Sequence, residues 1–280
     1  MTTKLEAIST EDLSEATPAP VWKRLRFEAA ASAAEEPTLA SLLNAAILSH
    51  DHLHDALSYY LAQKLSGSEM NALQIREIFE DAYESDESLA RAAERDMSAV
   101  LDRDPACRSF LQPFLFFKGF QALQTHRVAH WLWNEGRDTL AFFFQSRVAE
   151  LFNVDIHPAA QIGSGVMFDH ATGIVIGETA VVGDDTSILQ GVTLGGTGKE
   201  FGDRHPKIGN GVLVSVGAKV LGNIRIGDGA RIGAGSVVLN EVDDNCTVAG
   251  VPAKPVGGPC CGKAENMDQS FIVDEFDPSV

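Results

Sequence analysis

The sequence has few basic residues, and no segment of it is basic, which is unlike a protein that binds the phosphate backbone of nucleic acids. Its 280 residues include 22 Lys and Arg against 39 Asp and Glu, a formal net charge of −17. Because nucleic-acid binding needs a positive footprint, we expect no nucleic-acid partner. The acidic excess is typical of a well-solvated surface.

Long apolar runs and a cysteine framework are missing as well. The apolar stretch 114–117 ends at Lys118 and Gly119, far short of the roughly 20 residues that span a membrane. The segment 1–20 contains no apolar core of a secretory signal. The four cysteines form no CxxC motif. These absences predict no membrane partner, no disulfide scaffold and a cytoplasmic location.

Residues 20–153 have the periodicity of helices. Apolar residues return at three- and four-residue intervals in the segments 21–34, 38–65, 68–84, 86–102, 113–135 and 138–152. Ser68 and Asp86 are the predicted N-caps of the third and fourth segments. The first half of the chain is therefore predicted to be an α-helical domain.

The histidines of this half do not predict a metal site. His50, His52 and His54 alternate on a helical segment and so do not share one face; we interpret them as a solvated or partner-facing stretch. His126 and His130 lie four residues apart on one face, but neither an HExxH glutamate nor a nearby third ligand accompanies them. We expect them to serve packing or a substrate pocket.

After residue 153 the period changes to six. Ten of 13 positions in one series are Ile or Val; the series is Ile156, Ile162, Phe168, Ile174, Ala180, Thr186, Val192, Ile208, Val214, Val220, Ile226, Ile232 and Val238. Glycine recurs three residues beyond eight of them. Such a repeat predicts a parallel β-helix, in which three hexapeptides form one triangular coil. The fold class is thus α+β.

One interruption breaks the six-residue series. The series passes from Val192 directly to Ile208, although its next member is due at position 198, which indicates an insertion of ten within 195–206. A loop of this length must leave the prism, and projecting loops on rigid scaffolds are where function concentrates.

Several motifs that this region could suggest are incomplete. None of its GxG pairs continues to GxGxxG, and Gly198-Lys199 lacks the Ser or Thr of a P-loop. Zinc hydratases of this fold use two histidines five residues apart, whereas His157, His170 and His205 are spaced by 13 and 35. The register points His170 out of the coil, and Asp155 is expected one coil below it, close enough to orient its imidazole.

Longer segments resemble a known family. VDIHPAAQIGSGVMFDHATGIVIGETAVVGDD, SILQGVTLGGTGK and DRHPKIGNGVLVSVGAKVLGNI, together with SYYLAQKLS, AVLDRDPA, LFFKGFQALQTHRVAHWLWNEGR and GVPAKPVG, resemble the serine O-acetyltransferases over roughly residues 20–258. The resemblance implies a left-handed β-helix and transfer of an acetyl group from acetyl-CoA to the hydroxyl of L-serine, the first step of cysteine biosynthesis. It also implies feedback inhibition by L-cysteine, because a site for the charged ends of serine also fits cysteine.

The resemblance assigns roles to individual residues. His170 would be the general base and Asp155 its orienting acid. Serine would be held by Arg204, His205, Asp104, Asp169 and, more weakly, Glu178. Acetyl-CoA is the co-substrate, with no permanently bound cofactor, and would contact Gly196, Thr197, Val216, Arg231, Ala234 and Lys254.

The resemblance also implies the organisation of the chain. We expect a disordered extension over 1–19, a helical oligomerisation domain over 20–153, a β-helix acyltransferase domain over 154–256 and a flexible acidic tail over 257–280. Family members form hexamers, as dimers of trimers with sites between neighbours. Those that bind O-acetylserine sulfhydrylase usually end in Ile, where this chain ends in Val280.

Two other functions stay open on the residues alone. One is acetyl transfer to a different hydroxyl, such as that of a sugar or an antibiotic, which would need neither Arg204 nor Asp104. The other is a catalytically idle scaffold for the sulfhydrylase, against which the retention of Asp155, His170 and His205 counts.

Overall fold

The computed structural model describes residues 20–198 and 201–257. The expected disorder of 1–19 and the expected binding role of Val280 concern residues outside the described part, as does nearly all of the predicted flexible tail.

The first half of the described chain is helical. Its α-helices are α1 (Val21–Glu35), α2 (Ala40–Leu43), α3 (Leu53–Leu65), α4 (Ala72–Ser85), α5 (Glu87–Arg103), α6 (Leu111–Leu115), α7 (Lys118–Asn134) and α8 (Asp138–Phe152). A 3₁₀ turn (Pro37–Leu39) precedes α2, and a π turn (Asn44–Leu48) follows it. Within the described residues, no helix is both long and apolar enough to cross a membrane.

Two predicted helices are interrupted, and one predicted cap is wrong. The segment 38–65 breaks before His52, whose backbone N–H donates to the Asp55 carboxylate at 3.2 Å to start α3. The segment 113–135 divides between α6 and α7. The cap of α4 is Asn71 rather than Ser68, because Asn71 and Gln74 each accept the other's backbone N–H. Asp86 caps α5 as predicted, accepting from the N–H of Ser88.

The second half is the predicted parallel β-solenoid. Sheet A contains β1 (Val154–Ile156), β4 (Ile174–Ile176), β7 (Thr193–Gly195), β10 (Lys219–Leu221) and β13 (Val237–Val238). Sheet B contains β2 (Gln161–Ile162), β5 (Val181–Val182), β8 (Lys207–Ile208) and β11 (Arg225–Ile226). Sheet C contains β3 (Met167–Asp169), β6 (Ser187–Leu189), β9 (Leu213–Val214), β12 (Arg231–Ile232), β14 (Thr247–Gly250) and β15 (Ala253–Pro255).

Each strand up to β10 pairs with a strand of the next coil in the same sheet, so the chain turns three corners per coil. The AB corner comprises the connections from sheet A to sheet B, including 157–160, 177–180 and the two described ends of the inserted loop. The CA corner comprises the connections from sheet C to sheet A, at 170–173, 190–192, 215–218 and 233–236. These two corners lie on opposite sides of sheet A.

The six-residue register shifts once, which sequence analysis missed. Val154 stacks beneath Ile174, whereas three exact hexapeptides would place position 172 there, so the first coil is two residues longer than predicted. The extra length lies at the CA corner, where His170 and Ala171 adopt φ of 53° and 62°. Ile156 and Ile162 therefore stack beneath Ile176 and Val182, not beneath Ile174 and Ala180.

The same shift corrects the predicted length of the insertion. Val181 pairs with Lys207, whereas a regular coil would place position 199 there, so the inserted loop adds eight residues rather than ten. The other two residues of the apparent excess belong to the turn at His170.

A buried ion pair fastens the helices to the first coil. Asp96 of α5 and Arg127 of α7 meet at 2.7 Å, with side chains 0% and 8% exposed. Arg127 also donates to the carbonyls of Ile162 (3.2 Å) and Gly163 (2.6 Å), while Asp96 accepts the N–H of Val166 at 2.9 Å. One pair thus joins two helices to the backbone of the β-helix.

We expect Arg127→Met to lower the free energy of unfolding by about 3–5 kcal/mol, because it leaves the Asp96 carboxylate buried without its cation. Arg91→Met is the matched control, since Arg91 pairs with Glu87 in solvent, with side chains 67% and 87% exposed. That change should cost at most about 1 kcal/mol. Denaturant unfolding at one fixed protomer concentration measures both, and equal midpoints for the two variants would contradict this role.

Candidate active site

His170 stands on a turn that presents its ring to solvent. It follows β3 at the CA corner, and its side chain is 72% exposed, which confirms the predicted outward direction. Both His170 and Ala171 have left-handed backbone conformations, which are uncommon for residues with a Cβ. Ala171 is fully buried. The buried methyl group holds the turn in place, so the backbone that carries the exposed imidazole is fixed.

The start of α7 supports this turn from below. A Cβ added at Gly119 would lie 2.1 Å from the carbonyl oxygen of Phe168 and 3.1 Å from the Ala171 Cβ. The Lys118 ammonium donates a hydrogen bond to the Thr172 hydroxyl. Gly119 therefore allows a closeness between helix and turn that any side chain would prevent.

Two carboxylates accompany His170. Its Nε2 lies 3.8 Å from Oδ2 of Asp169. Burial raises the pKa of Asp169; the neighbouring His170 opposes that rise, and the Asp104 carboxylate adds to it. Asp104 ends α5, where its Oδ1 accepts the N–H of Ala106 at 2.8 Å. The structure thus brings together three predicted site residues, one of them distant in sequence from the other two.

Asp155 is placed differently from the sequence expectation. It lies in β1 and pairs with Val175 of the next coil. Its Oδ1 accepts a hydrogen bond from Nε2 of Gln145 in α8 at 2.7 Å. Among the hydrogen bonds of the described residues, none joins Asp155 to His170, the contact that the sequence had led us to expect. No sequence pattern points to Gln145, because only the packing of α8 on β1 brings its amide to Asp155.

A second cluster occupies the AB corner. Arg204 donates from Nη2 to Oε2 of Glu178 at 2.6 Å, and this hydrogen bond lowers the pKa of Glu178. His205, 6% exposed, packs over Gly177, where an added Cβ would lie 2.0 Å from its Nε2. Burial lowers the pKa of His205. The returning end of the inserted loop thus delivers Arg204 and His205 against the connection between β4 and β5.

His157 belongs to this second cluster, although sequence analysis assigned it no role. Its ring packs edge-on against those of Trp133 and Phe142, with centroids 5.2 and 5.4 Å away. Its Nδ1 accepts the N–H of Ala159 at 3.1 Å, and burial lowers its pKa. A neutral imidazole therefore forms one wall of the AB cluster.

The predicted site residues consequently form two groups in one protomer. Asp104, Asp169 and His170 gather at the CA corner, whereas Glu178, Arg204 and His205 gather at the AB corner, and sheet A separates the two. Asp155 lies on sheet A between them.

The residues expected to contact CoA are divided in a similar way. Val216 and Ala234 lie on the CA corner, in coils above His170. Gly173, Gly191, Gly217 and Gly235 stack there with positive φ, which leaves an edge of bare backbone. Arg231 and Lys254 lie on sheet C, while Gly196 and Thr197 begin the inserted loop at the AB corner.

An exposed imidazole beside carboxylates, on a solenoid of six-residue repeats, defines a hexapeptide-repeat acyltransferase. Residues 205–240 match the family described as "Bacterial transferase hexapeptide (six repeats)". Residues 21–125 match "Serine acetyltransferase, N-terminal". The repeats match the broad class of hexapeptide transferases, and the helical half matches one family within that class, the serine acetyltransferases.

Relatives that match most of the chain belong to the same family. The chain is 56% identical over 252 residues to serine acetyltransferase from Salmonella typhimurium, covering 90% of this chain and 92% of the relative. It is 53% identical over 253 residues to the Haemophilus influenzae enzyme of the same name, covering 90% and 95%. The chain belongs to the serine acetyltransferase family and is an acyltransferase, as its sequence predicted.

Solved structures of the family superpose on the chain. A serine acetyltransferase in complex with cysteine gives a TM-score of 0.88 at 53% identity, covering 90% of this chain and 98% of that one. A complex with CoA gives 0.81 at 53% identity, covering 84% and 98%. The Neisseria gonorrhoeae enzyme in complex with serine gives 0.82 at 53% identity, covering 84% and 97%.

We expect Gly119→Ala to lower kcat for acetyl transfer by about 10²-fold, because the added methyl group must displace the turn that carries His170. Gly67→Ala is the control, since a Cβ there would lie 3.5 Å from the nearest side-chain atom. Steady-state kinetics with a circular dichroism melt separates lost activity from lost fold. Equal kcat in the two variants would show that Gly119 does not position the turn.

Proposed function

We propose that this enzyme transfers the acetyl group of acetyl-CoA to the hydroxyl of L-serine, giving O-acetyl-L-serine and CoA as the first step of cysteine biosynthesis. The observation that carries the proposal is the exposed His170 on its anchored turn, at a corner shared with Asp104 and Asp169. The relatives solved with serine and with CoA support both substrates.

In the proposed reaction His170 accepts the proton of the serine hydroxyl as its oxygen attacks the thioester carbonyl. The tetrahedral intermediate collapses with loss of the CoA thiolate, which takes the proton from the imidazolium. Asp155 would orient the imidazole once the substrates are bound, turning from its contact with Gln145. A positioned base of this kind contributes about 10²–10⁴-fold to the rate.

In this proposal, binding the two charged ends of serine requires residues of both the CA corner and the AB corner. Arg204 and His205 would bind the carboxylate, Arg204 because its planar guanidinium matches two oxygens, and Glu178 would hold that guanidinium in place. Asp169 and Asp104 would bind the ammonium beside His170. Since sheet A separates these groups in one protomer, we propose that the CA corner of one copy meets the AB corner of its neighbour.

This arrangement favours a closed ring of copies. A contact between two different corners is heterologous, and a threefold rotation closes it into a trimer. CoA would then lie along the CA corner past Val216 and Ala234, with Gly196 and Thr197 reaching it from the neighbour and Arg231 and Lys254 near its phosphates. We propose that the helical half pairs two trimers into a hexamer in the cytoplasm, with apolar side chains such as Leu73, 65% exposed, at the contact.

The shared site is tested by mixing two inactive variants. His170→Ala and Arg204→Ala should each lower the rate of CoA release with serine by at least about 10²-fold. After unfolding and refolding together, about a quarter of the sites should carry both intact residues, because each neighbour supplies one with a chance of one half.

Recovery of about that fraction of wild-type activity would support the proposal. No recovery, in a preparation shown by differential tags to contain mixed oligomers, would place the whole site in one protomer. Wild-type enzyme that acetylates sugar or antibiotic hydroxyls in preference to serine would overturn the proposed substrate. Absence of any turnover would leave only a scaffold role.

We expect millimolar L-cysteine to inhibit the enzyme competitively with serine, because both present the same ammonium and carboxylate to the site. The relative in complex with cysteine supports this expectation. Loss of the acetyl-CoA thioester is the proper readout, since cysteine carries a thiol of its own. Inhibition that added serine does not relieve would contradict a shared site.

We also propose that the C-terminal tail binds O-acetylserine sulfhydrylase through Val280. Val280 is β-branched, like the Ile that usually ends such tails. Binding of a peptide with the last ten residues to the sulfhydrylase, compared with the same peptide ending in Ile, tests this.

A further inference from the structure

We infer that Thr179 is a positioning residue for serine binding, which holds His205 as the neutral tautomer with its proton on Nε2 and fixes Arg204 beside it. Thr179 follows Glu178 at the AB corner, and no motif in the sequence points to it. The inference rests on the proposed function, in which Arg204 and His205 bind the serine carboxylate.

The tautomer follows from the backbone. The N–H of Thr179 donates to Nδ1 of His205 at 3.2 Å. A backbone amide nitrogen can only donate, so Nδ1 must offer a lone pair, and the ring proton is on Nε2. A charged imidazolium, with protons on both nitrogens, would lose this contact.

The hydroxyl of Thr179 adds to the same constraint. Its Oγ1 accepts the backbone N–H groups of Arg204 (3.0 Å) and His205 (3.1 Å). Both of its lone pairs are then used, so its single hydrogen must donate. The acceptors within its reach are Nδ1 of His205, at 2.9 Å, and the Asp203 carboxylate. One hydroxyl thus fixes the backbone of Arg204 and His205 and adjoins the ring nitrogen of His205.

The carbonyl of Thr179 completes a clamp on the returning end of the inserted loop. It accepts from Nζ of Lys207 at 2.7 Å, and the same ammonium donates to the carbonyl of His205 at 3.0 Å. Every polar atom of Thr179 therefore contacts the segment 203–207. The loop is held at the point where it carries its two binding residues.

This arrangement gives the two residues different tasks. Burial lowers the pKa of His205, in agreement with a neutral ring. Arg204 then supplies the positive charge for a carboxylate, whereas His205 supplies one directed N–H from Nε2. Binding of the serine carboxylate would depend on the angle of this donor, which Thr179 sets.

The first test compares Thr179→Val with Thr179→Ser. Valine keeps the shape but removes the hydroxyl, so we expect KM for serine to rise about tenfold while KM for acetyl-CoA changes less than about twofold. Serine restores the hydroxyl and should return KM for serine to within about threefold of wild type. Thr186→Val, which removes a buried hydroxyl bonded to the Gly209 carbonyl elsewhere in the coil, is the matched control and should change neither KM.

The second test reads the tautomer without substrate. Solid-state NMR of protein with ¹⁵N-labelled histidine, with the His205 signals identified by their loss in His205→Gln, should show an unprotonated Nδ1. A protonated Nδ1 would overturn the tautomer. An unchanged KM for serine in a folded Thr179→Val variant would overturn the positioning role, while leaving the proposed reaction intact. Absence of serine-dependent turnover in wild type would overturn the proposed function instead.

Discussion

The buried pair of Asp96 and Arg127 is the constraint on which the rest of the structure depends. Its charged groups are satisfied only when α5, α7 and the first coil are all in place, because Arg127 also binds two β-helix carbonyls and Asp96 binds a backbone N–H. Once α7 is fixed there, its first turn lies directly beneath the His170 corner, with Gly119 permitting the contact. A buried ion pair of the helical half thereby helps to position the turn that carries His170 in the β-helix.

The β-helix repeats its backbone but varies its corners, and the chemistry lies in that variation. A regular coil would give His170 no special place; two extra residues make the turn that exposes it. At the AB corner, eight extra residues bring Arg204 and His205 back onto Thr179. Both clusters flank one sheet, which is the reason for proposing that a second copy completes the site. The regular coils form the scaffold, and the irregular segments carry the candidate site residues.

Much of the fold was predictable from the sequence, because the periodicity and capping that specify it are local properties of the chain. The hexapeptide spacing identified the solenoid, and the outward direction of His170 followed from the register of β3. The helical periodicity located the first domain, and Asp86 was recognisable as a cap. The register of Ile174 and Ala180 was not predictable from the sequence. A two-residue turn followed by an eight-residue loop gives the same total excess as a single insertion of ten residues. The helix break at His52 and the cap at Asn71 were missed, because both depend on side chains that accept backbone N–H groups, those of Asp55 and Gln74 at the helix starts.

The sequence by itself determined the fold class, the family and the residue types that the chemistry needs, because periodicity and motifs are properties of neighbouring residues. Only the tertiary structure decided that Asp104 joins Asp169 and His170, that Gln145 holds Asp155, and that Thr179 holds His205. It also decided that the predicted site residues occupy two corners rather than one. Most of these contacts join residues tens of positions apart, and their hydrogen bonds depend on how coils and helices stack, which no local pattern encodes.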